Sequence, residues 1–247
     1  MPLLRITMPM MKSIATNAEG LSDGQLYRLL TWFSPSFPIG AFSYSHGLET
    51  AATGGRVHDR ETLQRWIAAI LTHGAGRMDA DTLRDAHRAA LAADIEALNA
   101  ANRRGLAYRA TAEMMLESTA QGEAFLATCR VAWPDCRLDD WTASLDSGRV
   151  CYAVAAGAAT AWAGIPLGCA LTAYLQAMAA NLVSAGLRLG LAGQTDGQRI
   201  LAALEPIVDM AVANALIRES GAFGSAAFAI DLASMAHETQ YTRLFRT

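Results

Sequence analysis

Five histidines (His46, His58, His73, His87, His237) and four cysteines (Cys129, Cys136, Cys151, Cys169) are the side chains best suited to metal ligation, nucleophilic attack or proton transfer. Their spacing speaks against all three. No two histidines stand at H-x-x-x-H, which would put two imidazoles on one helix face, and no two cysteines form C-x-x-C. Cys129 and Cys136 are seven positions apart, so two helical turns would bring them to one face, but a buried free cysteine commonly behaves as a small hydrophobe. Ser45 precedes His46-Gly47, yet the G-x-S-x-G of a nucleophile elbow is absent because position 43 is serine. No G-x-x-x-x-G-K-[ST] is present to grip nucleotide phosphates, and Thr53-Gly54-Gly55-Arg56 reads as a turn. The expectation is no catalytic residue, no cofactor and no clustered metal site. His46 and His237 stay in view because each lies in a polar and aromatic cluster.

The first cluster is the run from Ser34 to Glu49, S-P-S-F-P-I-G-A-F-S-Y-S-H-G-L-E. Proline fixes φ and removes a donor, and glycine permits positive φ, so this backbone is bent and specified rather than slack. Keeping Phe37, Phe42 and Tyr44 so close together requires that they be buried or offered to a partner. The second cluster is the C-terminal run from Ile230 to Thr247, where helical spacing puts Ile230, Ser234, His237, Tyr241 and Leu244 on one stripe. Arginines near a helix C-terminus suit the dipole, but an apolar Leu244-Phe245 pair is costly to leave in water. Two readings stand: the tail docks on its own core, or it folds against a partner with Leu244 or Phe245 as anchor.

The elements that must position these clusters are helical throughout. Leu26, Leu29, Leu30 and Phe33 mark one face of a first helix capped by Asp23. Leu63, Trp66, Ile67, Ile70 and Leu71 mark another, capped by Asp59. From Asp81 onward a helix carries Leu83, Ala86, His87, Ala90 and Leu91, with Arg84 and Arg88 turned away. Asp94 and Thr111 open the next two, and Trp133-Pro134 closes that region. Asp196 is expected to cap a helix that Pro206 kinks. From Val150 to Leu187 there is no charged residue or histidine; length alone would allow a membrane span. Alanine and glycine dominate it, however, Gly164-Ile165-Pro166 breaks it, and Gln176 and Asn181 interrupt it, so it reads as two tightly packed helices in the centre of a bundle. No stretch alternates with period two.

These features predict an all-α, single-domain helical bundle over residues 21–247 with a buried Ala/Gly-rich central helix pair, preceded by a flexible segment, 1–20. A net charge of −3 and a pI near 5.9 exclude a general nucleic-acid binder. The absence of paired cysteines and of a secretory leader favours a reducing cytoplasm, with no membrane partner.

Three blocks resemble the urease accessory protein UreF family. The run 34–49 resembles S-P-x-x-P-x-G-x-[FY]-x-x-S-x-G-L-E; Gly193-Gln194-Thr195-Asp196-Gly197-Gln198 resembles a G-Q-x-D-G-Q turn. The end resembles D-x-A-S-M-x-H-E-x-x-Y-x-R-L-F, with Asp231, Ala233, Ser234, Met235, His237, Glu238, Tyr241 and Arg243 in register. The resemblance implies an all-α, non-enzymatic, dimeric scaffold of nickel urease maturation. Such a protein binds a UreD-type (UreH) protein and the GTPase UreG, docks on apo-urease, and helps couple GTP hydrolysis to lysine carbamylation and nickel insertion. Carried over, it implies partner contacts at Phe37, Pro38, Gly40, Phe42, Tyr44, His46, Glu49, His237, Glu238, Tyr241, Arg243, Leu244 and Phe245, with Arg243 tethering the tail to the 37–49 loop. It also leaves room for transient nickel ligation by His46 or His237; the alternative function is a metallochaperone that carries nickel itself. The chain departs from the pattern in three places. Position 42 is Phe where some relatives have Tyr, leaving Tyr44 to supply a hydroxyl; a proline is missing before Gly193; and a G-H-x-P-like element near Gly148 lacks its histidine and proline.

Overall fold

The computed structural model describes residues 20–145 and 148–246. Its α-helices are α1 (Asp23–Trp32), α2 (Leu48–Thr53), α3 (Arg60–His73), α4 (Ala75–Leu91), α5 (Ile95–Ala107), α6 (Ala112–Ala132), α7 (Cys136–Ala143), α8 (Tyr152–Trp162), α9 (Leu167–Arg188), α10 (Gln194–Ile217) and α11 (Phe228–His237). Short 3-10 turns occupy Ala41–Ser43 and Ser220–Ala222, and no strand occurs among the described residues. The fold is all-α. The flexible segment expected at 1–20 lies, Gly20 apart, outside the described residues.

Local chemistry sets most helix starts. Asp59, Asp94 and Thr111 each accept the backbone N–H three residues on, at 2.8, 2.9 and 3.1 Å, satisfying donors that a first turn leaves free. For α1 the cap is Ser22 rather than Asp23: its hydroxyl takes the Gln25 N–H while the Gln25 side chain takes the Ser22 N–H. Gly193, not Asp196, caps α10; Asp196 sits in the first turn, where its charge complements the dipole. Pro206 lies inside α10 without ending it, and the carbonyl its missing N–H would have served belongs to exposed Ala202, open to water.

The centre is α8, buried from Tyr152 to Ala161 and packed chiefly on α4. A Cβ added at Gly157 would stand 2.6 Å from the Leu83 carbonyl oxygen, so these two backbones touch directly. The uncharged run thus breaks at Gly164, in a left-handed conformation, and Pro166, which precedes α9. The two helices it forms differ. α9 packs mainly on α10 and buries a stripe including Leu171, Tyr174, Leu175, Leu182 and Val183, while Thr172, Gln176 and Ser184 face outward. By length and composition α9 and α10 could each cross a membrane, with 39% and 33% of their apolar windows buried. The exposed positions of α9 are polar, and those of α10 include Arg199, Glu205 and Asp209, which hydrocarbon would not accept, beside Met210 and Ile217.

Three sequence expectations are corrected by packing. Arg84 is not turned away but 1% exposed, donating from one nitrogen to the Ala215 and Arg218 carbonyls at 2.6 and 2.9 Å while pairing with Asp81 and Asp85. The end of α10 needs donors for its free carbonyls, and Arg84 supplies them. Leu91, Leu26 and Leu30 are exposed, Trp32 taking the inward place on α1. Cys129 and Cys136 do not share a helix, because α6 ends at Ala132 and Cys136 opens α7. Burial pushes the Cys129 thiol up to about 12, an unreactive state.

Candidate functional site

The 34–49 loop is anchored at one end and poised at the other. Phe37 is buried with its ring 5.4 Å from Phe125 and 6.3 Å from Trp133, while Pro38 and Phe42 are exposed. Gly40 takes a left-handed conformation before the Ala41–Ser43 turn, and Asn181 of α9 donates to the Ala41 carbonyl at 2.9 Å. His46 and Gly47 both have positive φ, 52° and 71°. Gly47 also lies directly under α11, since an added Cβ would sit 2.7 Å from the Ser234 nitrogen. His46 has no such licence from its side chain, and strain of this kind persists only where surroundings over-determine it. Its Nε2 meets Glu117 Oε1 at 3.0 Å, an oxygen that also accepts from Gln121.

The same turn launches α2 with Glu49 in its first turn, buried and facing the chain's end. α11 buries Ile230, Ala233, Ser234 and His237 and stops there. The helical stripe expected to run on to Tyr241 and Leu244 is therefore broken: Tyr241 and Leu244 are exposed, and Phe245 is buried. The tail instead extends across the loop. Leu244 and Phe245 donate their backbone N–H groups to Glu49 Oε1 and Oε2 at 2.7 and 2.9 Å, and the Arg246 N–H donates to the Ser43 carbonyl at 2.7 Å. The Arg246 side chain meets the Tyr44 hydroxyl, whose pKa is raised by burial and by the nearby Glu117 charge. Arg188 stacks over the Phe245 ring at 4.3 Å.

Beneath the tail lies His237, with Nδ1 2.9 Å from Glu113 Oε2 and Nε2 3.1 Å from Glu49 Oε2. Arg243 pairs with Glu113 Oε1 at 3.1 Å rather than tethering the tail to the loop, because Glu49 is already occupied by the two backbone donors. Glu238 accepts from the Ala112 N–H at 3.1 Å, where a carboxylate suits the start of α6. Glu49, His237, Arg243, Leu244 and Phe245 are thus drawn into one clamp with Glu113; Phe37 and Pro38 stand apart from it.

Next to the clamp, His46 and Glu117 border a cavity of about 60 Å³ shared with Asp79, Arg109 and Tyr174. Arg109 pairs with Asp79 at 2.6 Å, and the Tyr174 hydroxyl donates to Asp79 at 2.8 Å. Burial disfavours the charged ring of His46, but the charge and hydrogen bond of Glu117 more than offset it, so its pKa is raised. Among the described residues no three His, Cys, Asp or Glu side chains are grouped to hold a metal ion. The imidazoles of His46 and His237 are turned to carboxylates instead.

Glu113, Glu117 and Gln121 were not singled out by sequence. They stand at i, i+4 and i+8, a polar stripe inside a helix whose core-facing Met114, Ser118, Gly122 and Phe125 dominate its pattern. That stripe was the available signal.

The arrangement is one of mutual satisfaction. Its charges are spent on each other, while Phe42, Tyr241 and Leu244 and, on the outer face of α11, Phe228, Leu232 and Met235 remain exposed. A model of the UreF family matches residues 57–205, more than half of the chain. The chain belongs to the UreF family. A urease accessory protein UreF from Rhodopseudomonas palustris strain BisB18 is 49% identical over 222 residues, covering 90% of this chain and 92% of its own. A second, from strain BisB5 of that species, is 48% identical over 237 residues, covering 94% and 96%. A third, from Granulibacter bethesdensis, is 48% identical over 225 residues, covering 91% and 95%. The UreF family match falls on the bundle from α3 to α10, whereas the loop, α11 and tail that form the clamp flank it on both sides.

Proposed function

We infer that this chain is a non-catalytic scaffold of urease maturation, acting in the cytoplasm, off the membrane and without nucleic acid. In this reading it binds a UreD/UreH-type protein through the clamp and α11, presents a second surface to the GTPase UreG, and works as a homodimer. The assembly docks on apo-urease and couples GTP hydrolysis to nickel insertion; nickel is cargo of the complex, and the chain contributes contacts rather than bond chemistry.

The observation that carries the reading is the clamp: Glu49 grips two successive tail amides and so fixes the end of the chain, where Leu244 is exposed, against the loop. Fixing one backbone residue costs about 1–2 kcal/mol, so a tail already held in place spares a partner that expense. Apolar side chains on a rigid frame are the usual carriers of interface energy. Family membership supports the urease context, and the exposed charges Arg199, Glu205 and Asp209 on α10 support a location in water.

Deleting Tyr241 to Thr247 tests this. The truncated chain is expected to keep its helical circular dichroism and cooperative melt, yet lose capture of a co-expressed UreD-type protein. Undiminished capture would overturn the docking role of the tail.

A further inference from the structure

His237 has both ring nitrogens within hydrogen-bond distance of carboxylates, Nδ1 of Glu113 and Nε2 of Glu49, and its side chain is fully buried. A neutral imidazole has one N–H and one lone pair, so it can satisfy only one of these contacts. The other would set a lone pair against a carboxylate oxygen. On Glu49 the second proton would break a tail bond; on Glu113 Oε2 it would still lie in the contact with Nδ1, so on either of these two atoms it bridges the ring and Glu113. Both oxygens of Glu49 accept tail amides, and Glu113 accepts from Arg243. The geometry points to His237 as a proton-operated catch on the C-terminal tail: doubly protonated, the ring holds Glu49 and Glu113 together and the tail is docked; singly protonated, it lets go of one and the tail is released.

The charge balance of the surrounding elements fits this. Glu49 on α2 and Glu113 on α6 give two negative charges, and Arg243 of the tail gives one positive. A charged ring brings the cluster to neutrality; a neutral ring leaves a net negative charge out of water, which low-dielectric surroundings penalise. Further groups do not change the count. His46 and Glu117 pair with each other one turn along α6, and Arg246 is engaged with Tyr44. On the ring's own side, Glu238 is committed to the α6 amide and Asp231 lies near the start of α11. Whichever acid loses the ring is one that holds the tail, Glu49 through its amides or Glu113 through Arg243. Loss of one proton therefore acts on the tail rather than on the bundle.

The test is amide hydrogen exchange of the full chain from about pH 5 to about pH 9, a window that spans ordinary histidine titration. Protection is corrected for the intrinsic pH dependence of exchange, and the His237 ring is followed by its own proton resonance. Protection of the Leu244 and Phe245 amides is expected to fall at least about tenfold as the ring loses its second proton, the scale of one hydrogen bond to a charged group. The amides of α8 should not change. In Glu113→Gln, the new amide group can donate to Nδ1 of a neutral ring while its oxygen still accepts from Arg243, so tail protection should persist across the window. The catch is overturned if the tail amides stay protected after the ring titrates, if Glu113→Gln opens at the same pH as the parent, or if α8 opens together with the tail. Any control this exerts on capture of the UreD-type protein rests on the docking role proposed above. The exchange measurement uses the free chain, so it decides the catch whether or not capture occurs.

Discussion

The α4–α8 contact and the tail–loop clamp hold the molecule by opposite means. Around Gly157, α4 and α8 meet through backbone and methyl groups, brought together because Gly157 has no side chain to keep Leu83 away. In the clamp, two carboxylates, an imidazole and a guanidinium group meet through five directional bonds, across loop and tail backbone that does not repeat. Backbone and methyl contacts have no proton to lose and no partial state, whereas a charged cluster can be opened by a proton and can open alone. The first suits a frame and the second suits a part that is handled by partners.

The largest effect should come from filling the frame. In Gly157→Val the Cβ would stand 2.6 Å from a carbonyl oxygen of the neighbouring helix, and neither backbone has room to retreat without parting the central helices. Overpacking of this sort costs about 1–3 kcal/mol where side chains can yield, and more is expected where the obstacle is backbone. Urea unfolding should show a loss of at least about 3 kcal/mol, or no folded protein at all. A stability within about 1 kcal/mol of the parent would mean that α4 and α8 are not the rigid part of the molecule.

Glu49→Ala tests the other half of the contrast. It strands two backbone donors and an imidazole, and breaking a buried charged cluster by removing one member typically costs about 3–5 kcal/mol. The loss in global stability should be smaller, because the tail can leave and take the donors into water, which caps the penalty at the free energy of docking. Trypsin should then cut after Arg243 many times faster than in the parent, with little change in the melt. If the melt falls as far as in Gly157→Val, the clamp is part of the frame and the comparison collapses.

The two regions also differ in how far sequence could reach them. The caps Asp59, Asp94 and Thr111 are legible because a cap and its donor lie three residues apart. The buried run was legible because a helix without charge has few places to go, although composition alone did not say that α8 would be enclosed and α9 half-bare. Arg84 was misplaced because the carbonyls it serves are 131 and 134 positions away. Likewise Glu113 meets His237 across 124 positions and Glu49 meets it across 188, distances at which no periodicity carries information. Glu49 and Arg243 were singled out by likeness to a family and His237 also by its polar and aromatic surroundings, but Arg243, expected to tether the tail to the loop, pairs with Glu113 of α6. α11 was drawn too long for a related reason: helical spacing continues to Leu244, but Glu49 offers the tail amides a better acceptor than another exposed turn would.

The smallest effect separates the regions by the sign of their response to pH. The Glu117 carboxylate, against the cost of burial, holds the pKa of His46 above its ordinary value. A raised histidine adds stability that is complete below the unfolded-state value near 6.5 and disappears as pH climbs through the folded one. His87, in the α4 frame, is the reverse: burial lowers its pKa, and its Nε2 lies 2.9 Å from the Ile165 carbonyl, where a neutral ring donates. Its contribution is complete above the unfolded value and disappears as pH falls through the folded one. Comparing the parent with His46→Asn and His87→Asn by urea unfolding cancels the titration of every other group. The difference at His46 should shrink toward alkaline pH and the difference at His87 toward acid pH, each by on the order of 1 kcal/mol. Two differences that slope the same way would show that the histidine of the frame and the histidine of the loop feel the same environment. The division between a neutral frame and a charged clamp would then be wrong.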